Sequence, residues 1–471
     1  MKISNTYING LFVDESNNDH FDLLNPADES KLGSLICSNK DQVNLAIDAA
    51  LANEKLAATL TKEQRILILQ EILDGVILRS EDLATAISLE MGAPINLSSS
   101  SHIQMGADHL QNTINTLNHY SFEEDYDEYK VVKVPIGLVA LITPWNWPLN
   151  QTLTKISSAI AAGCSIVMKP SEYSALSSRI LIEILDKTSL PKGCFNCVNG
   201  IGSEIGPMIS AHPDIKMISF TGSTLAGINI QQLAAKSIKR VSLELGGKSA
   251  HIICKGVDLE KAIPNAIDQC FVNSGQSCSS PTRLVVPIED IENIVNIASE
   301  HVSTLITGDP LDASTNLGPV VNIKQFNSIQ EHIESGIKDG HKLITGGPGK
   351  PHNCSKGYFI KPTIFAEVPN ESALAQEEIF GPVLSIITYV DINHAIEIAN
   401  DSMYGLSSYI TCLDTEDGVK IAKEIKAGQT IINKKSRGSA PAPFGGFKMS
   451  GNGREHGLYG LEEYLEIKAI I

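Results

Sequence analysis

Several features that would assign this 471-residue chain at once are scarce or missing. No uninterrupted apolar run approaches the roughly 20 residues needed to cross a bilayer, so no membrane partner is expected. The first ten residues lack the apolar core of a secretory signal, so none is expected there. Basic charge is short: 37 Lys and Arg against 54 Asp and Glu leave a net charge of −17. Such a surface repels phosphate backbones, and the longest basic cluster, Lys434-Lys435-Ser436-Arg437, is too small to reverse that. No nucleic-acid partner is expected. Cysteine is sparse, nine residues in all, odd in number and scattered. That is the pattern of reduced cytoplasmic thiols and not of a disulfide framework. Cys194 and Cys197 form a C-x-x-C with no second pair and no histidine cluster, so no metal site is expected. Fixed-period repeats and low-complexity stretches are also missing, which excludes solenoids and arrays. What remains is 42% apolar and 19% charged, the proportions of a soluble multi-domain protein with a sizeable core.

The N-terminal third reads as mainly helical. Val43, Ala46, Ile47, Ala50 and Leu51 follow the i, i+3, i+4 spacing of an amphipathic helix, and residues 64–79, 82–90 and 95–118 continue in that mode, with Gly92-Ala93-Pro94 as a break. Residues 129–134 alternate with both faces partly polar, which predicts a strand in an exposed arm. From Gly137 the texture changes to short apolar runs (138–142, 165–168, 195–198, 217–220, 241–245) separated by helical segments. Strands alternating with helices of that length predict βαβ units and a parallel sheet. A second α/β stretch runs from Ala250 to about Asn433, and residues 465–471 predict a last strand. The chain therefore reads as two α/β domains divided near Gly246-Gly247, with an appended arm.

Ligands of an open parallel sheet bind beyond the carboxyl ends of its strands, which directs attention to the residues just past each apolar run. After the first comes Thr143-Pro144-Trp145-Asn146-Trp147-Pro148, a proline-fixed turn holding both tryptophans. There Asn146 offers a side-chain N–H at a rigid strand end. After the second comes Lys169-Pro170-Ser171-Glu172, a carboxylate where a dinucleotide fold binds ribose hydroxyls. Thr221-Gly222-Ser223-Thr224 opens a helix carrying Gly227, and small residues at a helix start let backbone N–H groups approach a pyrophosphate; Gly200-Ile201-Gly202 is a weaker signal of the same kind. Two segments carry more. Leu243-Glu244-Leu245-Gly246-Gly247-Lys248 ends a buried strand on a Glu whose desolvation raises its pKa, as suits a general base near neutrality. Asn273-Ser274-Gly275-Gln276-Ser277-Cys278-Ser279-Ser280 sets a thiol among small polar residues, a nucleophile candidate. Most of the other cysteines lie in apolar context and read as small core residues.

With Glu378-Ile379-Phe380-Gly381-Pro382 and Pro443-Phe444-Gly445-Gly446 added, these motifs stand in the order of one family. From about Tyr7 to the C-terminus the chain resembles the NAD(P)-dependent aldehyde dehydrogenase superfamily, of the hydrolytic, non-acylating type. The resemblance implies an α/β fold with a Rossmann-like cofactor domain (1–120 and 136–246), a second α/β catalytic domain carrying the nucleophile (247–440), and a small β oligomerisation arm (121–135 and 460–471). It implies that Cys278 attacks an aldehyde, that the Asn146 amide and the Cys278 N–H hold the oxyanion, and that Glu244 activates the water that hydrolyses the thioester. Lys155 and Glu455 match positions linked with proton relay or water ordering. For the cofactor, NAD with NADP possible, it implies Thr143, Pro144, Trp145, Lys169, Glu172, Gly202, Phe220, Gly222, Ser223, Gly227, Leu245, Glu378 and Phe380. Trp147, Asn150, Val272 and Phe444 map to the substrate tunnel, a lining expected to be mostly apolar with one amide. That favours an uncharged aldehyde, with residues 434–437 as a possible entrance site for an anionic tail. A homodimer or homotetramer is expected. Two alternatives remain at this stage: a coenzyme-A-acylating relative, which would lack the Glu, and a non-catalytic member, which would tend to lose the nucleophile. Ser280 departs from the Ala usual in the family, a small-for-small change.

Overall fold

The computed structural model describes residues 2–13, 18–434 and 441–471; of the basic cluster only Lys434 is among them, and Lys435, Ser436 and Arg437 lie outside. Two large sheets organise the chain. The first has eight strands in the order Gly451–Asn452, Arg240–Glu244, Met217–Thr221, Leu138–Ile142, Ser165–Lys169, Phe195–Cys197, Tyr7–Ile8, Leu11–Phe12. Its five central strands are parallel. Chain order reverses on either side of Leu138–Ile142, which makes that strand the topological switch point where an open α/β sheet binds its ligand. Every residue of Leu138–Ile142, Ser165–Lys169 and Met217–Thr221 is buried. Continuous apolar runs are what strands covered on both faces require.

The second sheet has seven strands in the order Lys342–Thr345, Thr363–Ala366, Val383–Tyr389, Arg283–Pro287, Ala250–Ile253, Ser407–Thr411, Gln429–Ile432, all parallel except the first. The chain passes from one sheet to the other between Glu244 and Ala250. A third sheet pairs Leu465–Ile470 with Lys130–Pro135 and Glu123–Asp125, all antiparallel. It holds the residues expected to form an arm, and Ile467 stays 75% exposed on its outer strand.

One sequence expectation needs correction. The N-terminal third is helical only from residue 40 on; residues 2–13 and 18–36 form five short strands, of which three build a small sheet of their own. The three two-residue strands among them are too short to show alternation. Near the C-terminus, Gly451–Asn452 closes the first sheet beside Arg240–Glu244.

Helix Pro148–Ala162 carries the residues after the switch-point strand into the interior, and all its residues are buried. Proline at its first position suits a helix start, where no N–H partner is lost. Gly163 ends it in the left-handed region (φ 86°), and a Cβ there would lie 2.5 Å from the Arg65 guanidinium. Arg283, only 2% exposed, staples the second sheet to the helix Ile392–Asn400. It donates to the carbonyls of Lys248 (2.9 Å), Ile398 (2.7 Å) and Ala399 (3.0 Å). Arg283→Leu leaves those acceptors without a donor and is expected to cost about 2–5 kcal/mol, read as a lowered urea midpoint; an unchanged midpoint would contradict the staple.

Candidate active site

The nucleophile segment is held by its own backbone. After helix Leu259–Phe271, Asn273 (φ 57°), Ser274 (φ 56°) and Gly275 (φ 73°) are left-handed in succession. Left-handed non-glycine residues cost about 1–3 kcal/mol each and persist only where surroundings impose them. Here the surroundings are visible. Asn273 Nδ2 donates to the Asn146 carbonyl (2.8 Å), Gln276 Nε2 to the Asn273 carbonyl (3.2 Å), and the Val321 N–H to Gln276 Oε1 (2.9 Å). A Cβ on Gly275 would fall 2.2 Å from the Gly381 carbonyl, and one on Gly247 would fall 2.3 Å from the Cys278 carbonyl. Cys278 is thereby presented, half-buried, to a cavity of about 500 Å³. Asn146 is 5% exposed in the turn opposite, and its Nδ2 donates to the Gln276 carbonyl (3.1 Å) through one of its two N–H bonds.

Glu244 ends its strand against Gly451, 2% exposed, and neither carboxylate oxygen has a protein partner. Burial first, and the neighbouring Glu455 second, hold its pKa well above the ordinary carboxylate range, with Lys155 working the other way. Lys155 is fully buried; it pairs with Glu455 and donates to Ser219 Oγ (3.0 Å). The three side chains form one buried acid–base cluster at the carboxyl end of the first sheet.

The expected cofactor residues gather at those same strand ends. Lys169 pairs with Glu172 at 3.1 Å, and the Gly202 N–H donates to the other Glu172 oxygen (3.2 Å). Ser223 caps helix Thr224–Ala234 through Oγ (3.3 Å from Ala226 N). A Cβ on Gly227 would strike Leu245 at 2.6 Å, and one on Gly222 would strike the Phe220 ring at 2.4 Å. Glu378 accepts from the Gly247 N–H (3.0 Å), and burial pushes its pKa up to about 7. Phe380 meets Trp145 edge to face at 5.6 Å, beside Thr143 and Pro144 in the same turn.

Trp147, Asn150, Val272 and Phe444, the residues mapped to a substrate tunnel, line one cavity with Cys278. Its exposed surface is mostly apolar, as expected, but it holds more than the one amide expected. Gln151, Gln269 and Gln429 add amides to Asn150, and His109 and His456 also face it. The two histidine rings stack at 4.1 Å and Phe444 stacks on His456 at 5.4 Å. Burial pushes their pKa values down, to about 3 for His109 and about 4 for His456. Sequence reasoning missed both. His456 had one signal, standing directly after Glu455; His109 had none, being one residue on a helix face.

The aldehyde dehydrogenase family model matches residues 12–470. The chain belongs to that family. It is an NAD(P)-dependent aldehyde dehydrogenase. Among solved structures, it is similar to an aldehyde dehydrogenase C from Pseudomonas syringae, a cysteine-to-alanine variant in complex with NAD+ and octanal. That match has 42% identity and a TM-score of 0.97, covering 99% of this chain and 96% of the other. An aldehyde dehydrogenase from Bartonella henselae matches at 39% identity and a TM-score of 0.97, over 100% and 99% of the two chains. A betaine aldehyde dehydrogenase from Staphylococcus aureus, in complex with NAD+, matches at 32% identity and a TM-score of 0.96, over 99% and 94%. These relatives are aldehyde dehydrogenases, and the intact Cys278 and Glu244 speak against a non-catalytic member of the family.

Proposed function

We propose that this chain oxidises an uncharged aldehyde to its carboxylic acid by nucleophilic catalysis at Cys278 followed by hydrolysis at Glu244. The observation that carries this reading is the pairing of a presented thiol with a buried, unpartnered carboxylate joined to it through Gly246-Gly247. The Cys278 sulfur adds to the aldehyde carbon, and the oxyanion takes the second Asn146 N–H and the Cys278 backbone N–H. Preorganised donors of that kind are worth about 3–4 kcal/mol to a developing oxyanion. The bound dinucleotide supplies the hydride acceptor. The acyl group left on sulfur is then open to a water that Glu244 deprotonates, with Lys155 and Glu455 setting the charge behind it. Glu244 supports hydrolysis over transfer to coenzyme A. Assaying acid with and without coenzyme A tests this, and strict dependence on coenzyme A would sink it. The division of labour follows the sheets: the first with its flanking helices for the cofactor, the second for the nucleophile, and the third as the arm.

The strand-end residues fit a dinucleotide. Glycines at 202, 222 and 246 keep space that a Cβ would fill, the last only 2.2 Å from Glu378 Oε2. Lys169 and Glu172 would hold the adenosine ribose, Ser223 would stand near the pyrophosphate, and Glu378 would hold the nicotinamide ribose with Phe380 beside the ring. NAD+ is expected over NADP+ by at least about tenfold in kcat/KM, because a ribose 2′-phosphate would be brought against the Glu172 carboxylate. Equal use of the two cofactors would count against Glu172 as the discriminator.

Assembly as a homodimer or a dimer of dimers is supported by the outer edge of Leu465–Ile470, where unpaired backbone groups and exposed Ile467 and Ile470 call for a neighbour. A monomeric mass by light scattering at micromolar concentration would overturn it. A cytoplasmic location is supported by the nine cysteines, none of which is in a disulfide, as a reducing compartment keeps them. Among the described residues no helix is long and apolar enough to cross a membrane.

A further inference from the structure

One buried histidine that no step of the reaction uses is His102. It closes a π-helical turn, Ser98–His102, set directly ahead of helix Ile103–His119. Turns of that kind are rare and gather at functional sites. This one is fixed from behind, where Ser88 and Ser98 share a buried Oγ–Oγ hydrogen bond (2.9 Å). His102 has no exposed surface, and burial pushes its pKa down to about 3. At neutral pH the ring is therefore uncharged, with one N–H to give. Its neighbours Ser101 and Met105 line the Cys278 cavity, whereas His102 does not. Any effect it has on the reaction must pass through another residue.

Two contacts of His102 converge on Asn146. The face of its ring stacks on Trp147, with centroids 4.2 Å apart and planes at 23°, and Trp147 follows Asn146 directly in the chain. Its edge hydrogen-bonds the Asn273 side chain. Asn273 Nδ2 already donates to the carbonyls of Asn146 (2.8 Å) and Gln276 (3.3 Å), so the imidazole N–H goes to the amide oxygen. The Gln276 carbonyl is also the one that Asn146 Nδ2 takes (3.1 Å). His102 thus holds the residue after Asn146 by a stacked ring, and the residue that anchors the Asn146 carbonyl by a hydrogen bond. Resting on the reading of Asn146 as an oxyanion donor, we propose that His102 is a positioning residue for it. Through Trp147 and Asn273 it aims the second Asn146 N–H at the oxygen of the Cys278 adduct. Phe in its place would stack but leave the Asn273 oxygen without that donor. Gln would offer a donor but no ring. Histidine supplies both, and a donor that must be in place before charge develops needs both sides held.

The test is a double-mutant cycle on the first turnover of NADH formation, followed by stopped flow at saturating NAD+ and butanal. Asn146→Ala is expected to slow that step by about 10²–10³-fold, the effect of removing one oxyanion donor. His102→Phe and His102→Gln are each expected to slow it by about tenfold, because each gives up one of the two contacts, with the dissociation constant for NAD+ kept within about threefold. In the Asn146→Ala background either change is expected to slow the step by less than about threefold, since the donor it aims is gone. A residue that merely packs would lower the rate by the same factor in both backgrounds, and that outcome overturns the proposal. Loss of NAD+ binding in both His102 variants makes His102 a residue of the fold and overturns it too. If Asn146→Ala slows the step and neither His102 variant does, only this inference fails. If Asn146→Ala leaves the step unchanged, the oxyanion reading fails and takes the inference with it.

Discussion

Cys278→Ala is expected to lower kcat by at least about 10⁴-fold while leaving the dissociation constant for NAD+ within about threefold. Four decades in rate correspond to about 5 kcal/mol of barrier, the scale on which removing a covalent nucleophile acts. No other thiol is placed to substitute. Among the described residues Cys278 is the only cysteine lining the cavity. Burial pushes the pKa of Cys164 and of Cys270 up to about 12 and that of Cys254 up to about 11, so at neutral pH they are thiols and not thiolates. Steady-state NADH formation with butanal checks the rate, and calorimetric titration with NAD+ checks that the cofactor site survives. A variant that keeps a tenth of the activity would remove Cys278 from its role. Gly247→Ala is a milder companion: its Cβ would be forced against the Cys278 carbonyl, so kcat should fall about 10-fold or more from a misplacement of the order of an ångström.

How much of this was legible in the sequence depends on the range of each interaction. The strand Leu138–Ile142 and the helix Pro148–Ala162 announce themselves because burial on both faces writes an unbroken apolar run and because proline marks a helix start. The strand Tyr7–Ile8 writes nothing of the kind. It exists because Cys197 offers a backbone edge to Tyr7 across the fold, a partner invisible from residue 7. Cys278 and Glu244 were readable because each sits in a local run of unusual chemistry, a thiol amid serines and a carboxylate closing an apolar strand. The added amides and the two histidines of the cavity were not. His109 comes from helix Ile103–His119, Asn150 and Gln151 from Pro148–Ala162, and His456 from the tail, and only packing brings them to one wall. The glycines behave likewise: Gly247 is obligatory because of Cys278, and Gly275 because of Gly381. A sequence shows which residues are small but not what they must make room for.

Glu244→Gln separates the two halves of the reaction. The amide keeps the size of the carboxylate and so the packing against Gly445, where even a Cβ would come within 2.8 Å of Glu244 Oε1. It removes the base. Acylation of Cys278 does not need Glu244 as base, so the first turnover should survive as a burst of NADH close to one per subunit. Hydrolysis does need it, and the steady-state rate after the burst should fall by about 10²–10⁴-fold, the range of a positioned general base. The pH dependence has its origin in the same environment. Burial and the negative charge of Glu455 oppose ionisation of Glu244, so its folded pKa lies well above the ordinary carboxylate value. Only the ionised form takes a proton from water. The unaltered enzyme should therefore gain kcat as pH rises through that elevated pKa and lose it as pH falls, and the Gln variant should lack that limb. The sign also fixes a stability effect. A carboxyl that holds its proton more tightly folded than unfolded favours the fold below the unfolded pKa of about 4.3, and that contribution is lost as pH rises through the folded value. Glu244→Gln should accordingly be less destabilised than the unaltered protein by a shift from pH 5 to pH 9, read as the change in thermal midpoint. Loss of the burst together with the steady-state rate would place Glu244 in acylation, and an undiminished steady-state rate would take the hydrolytic role away from it altogether.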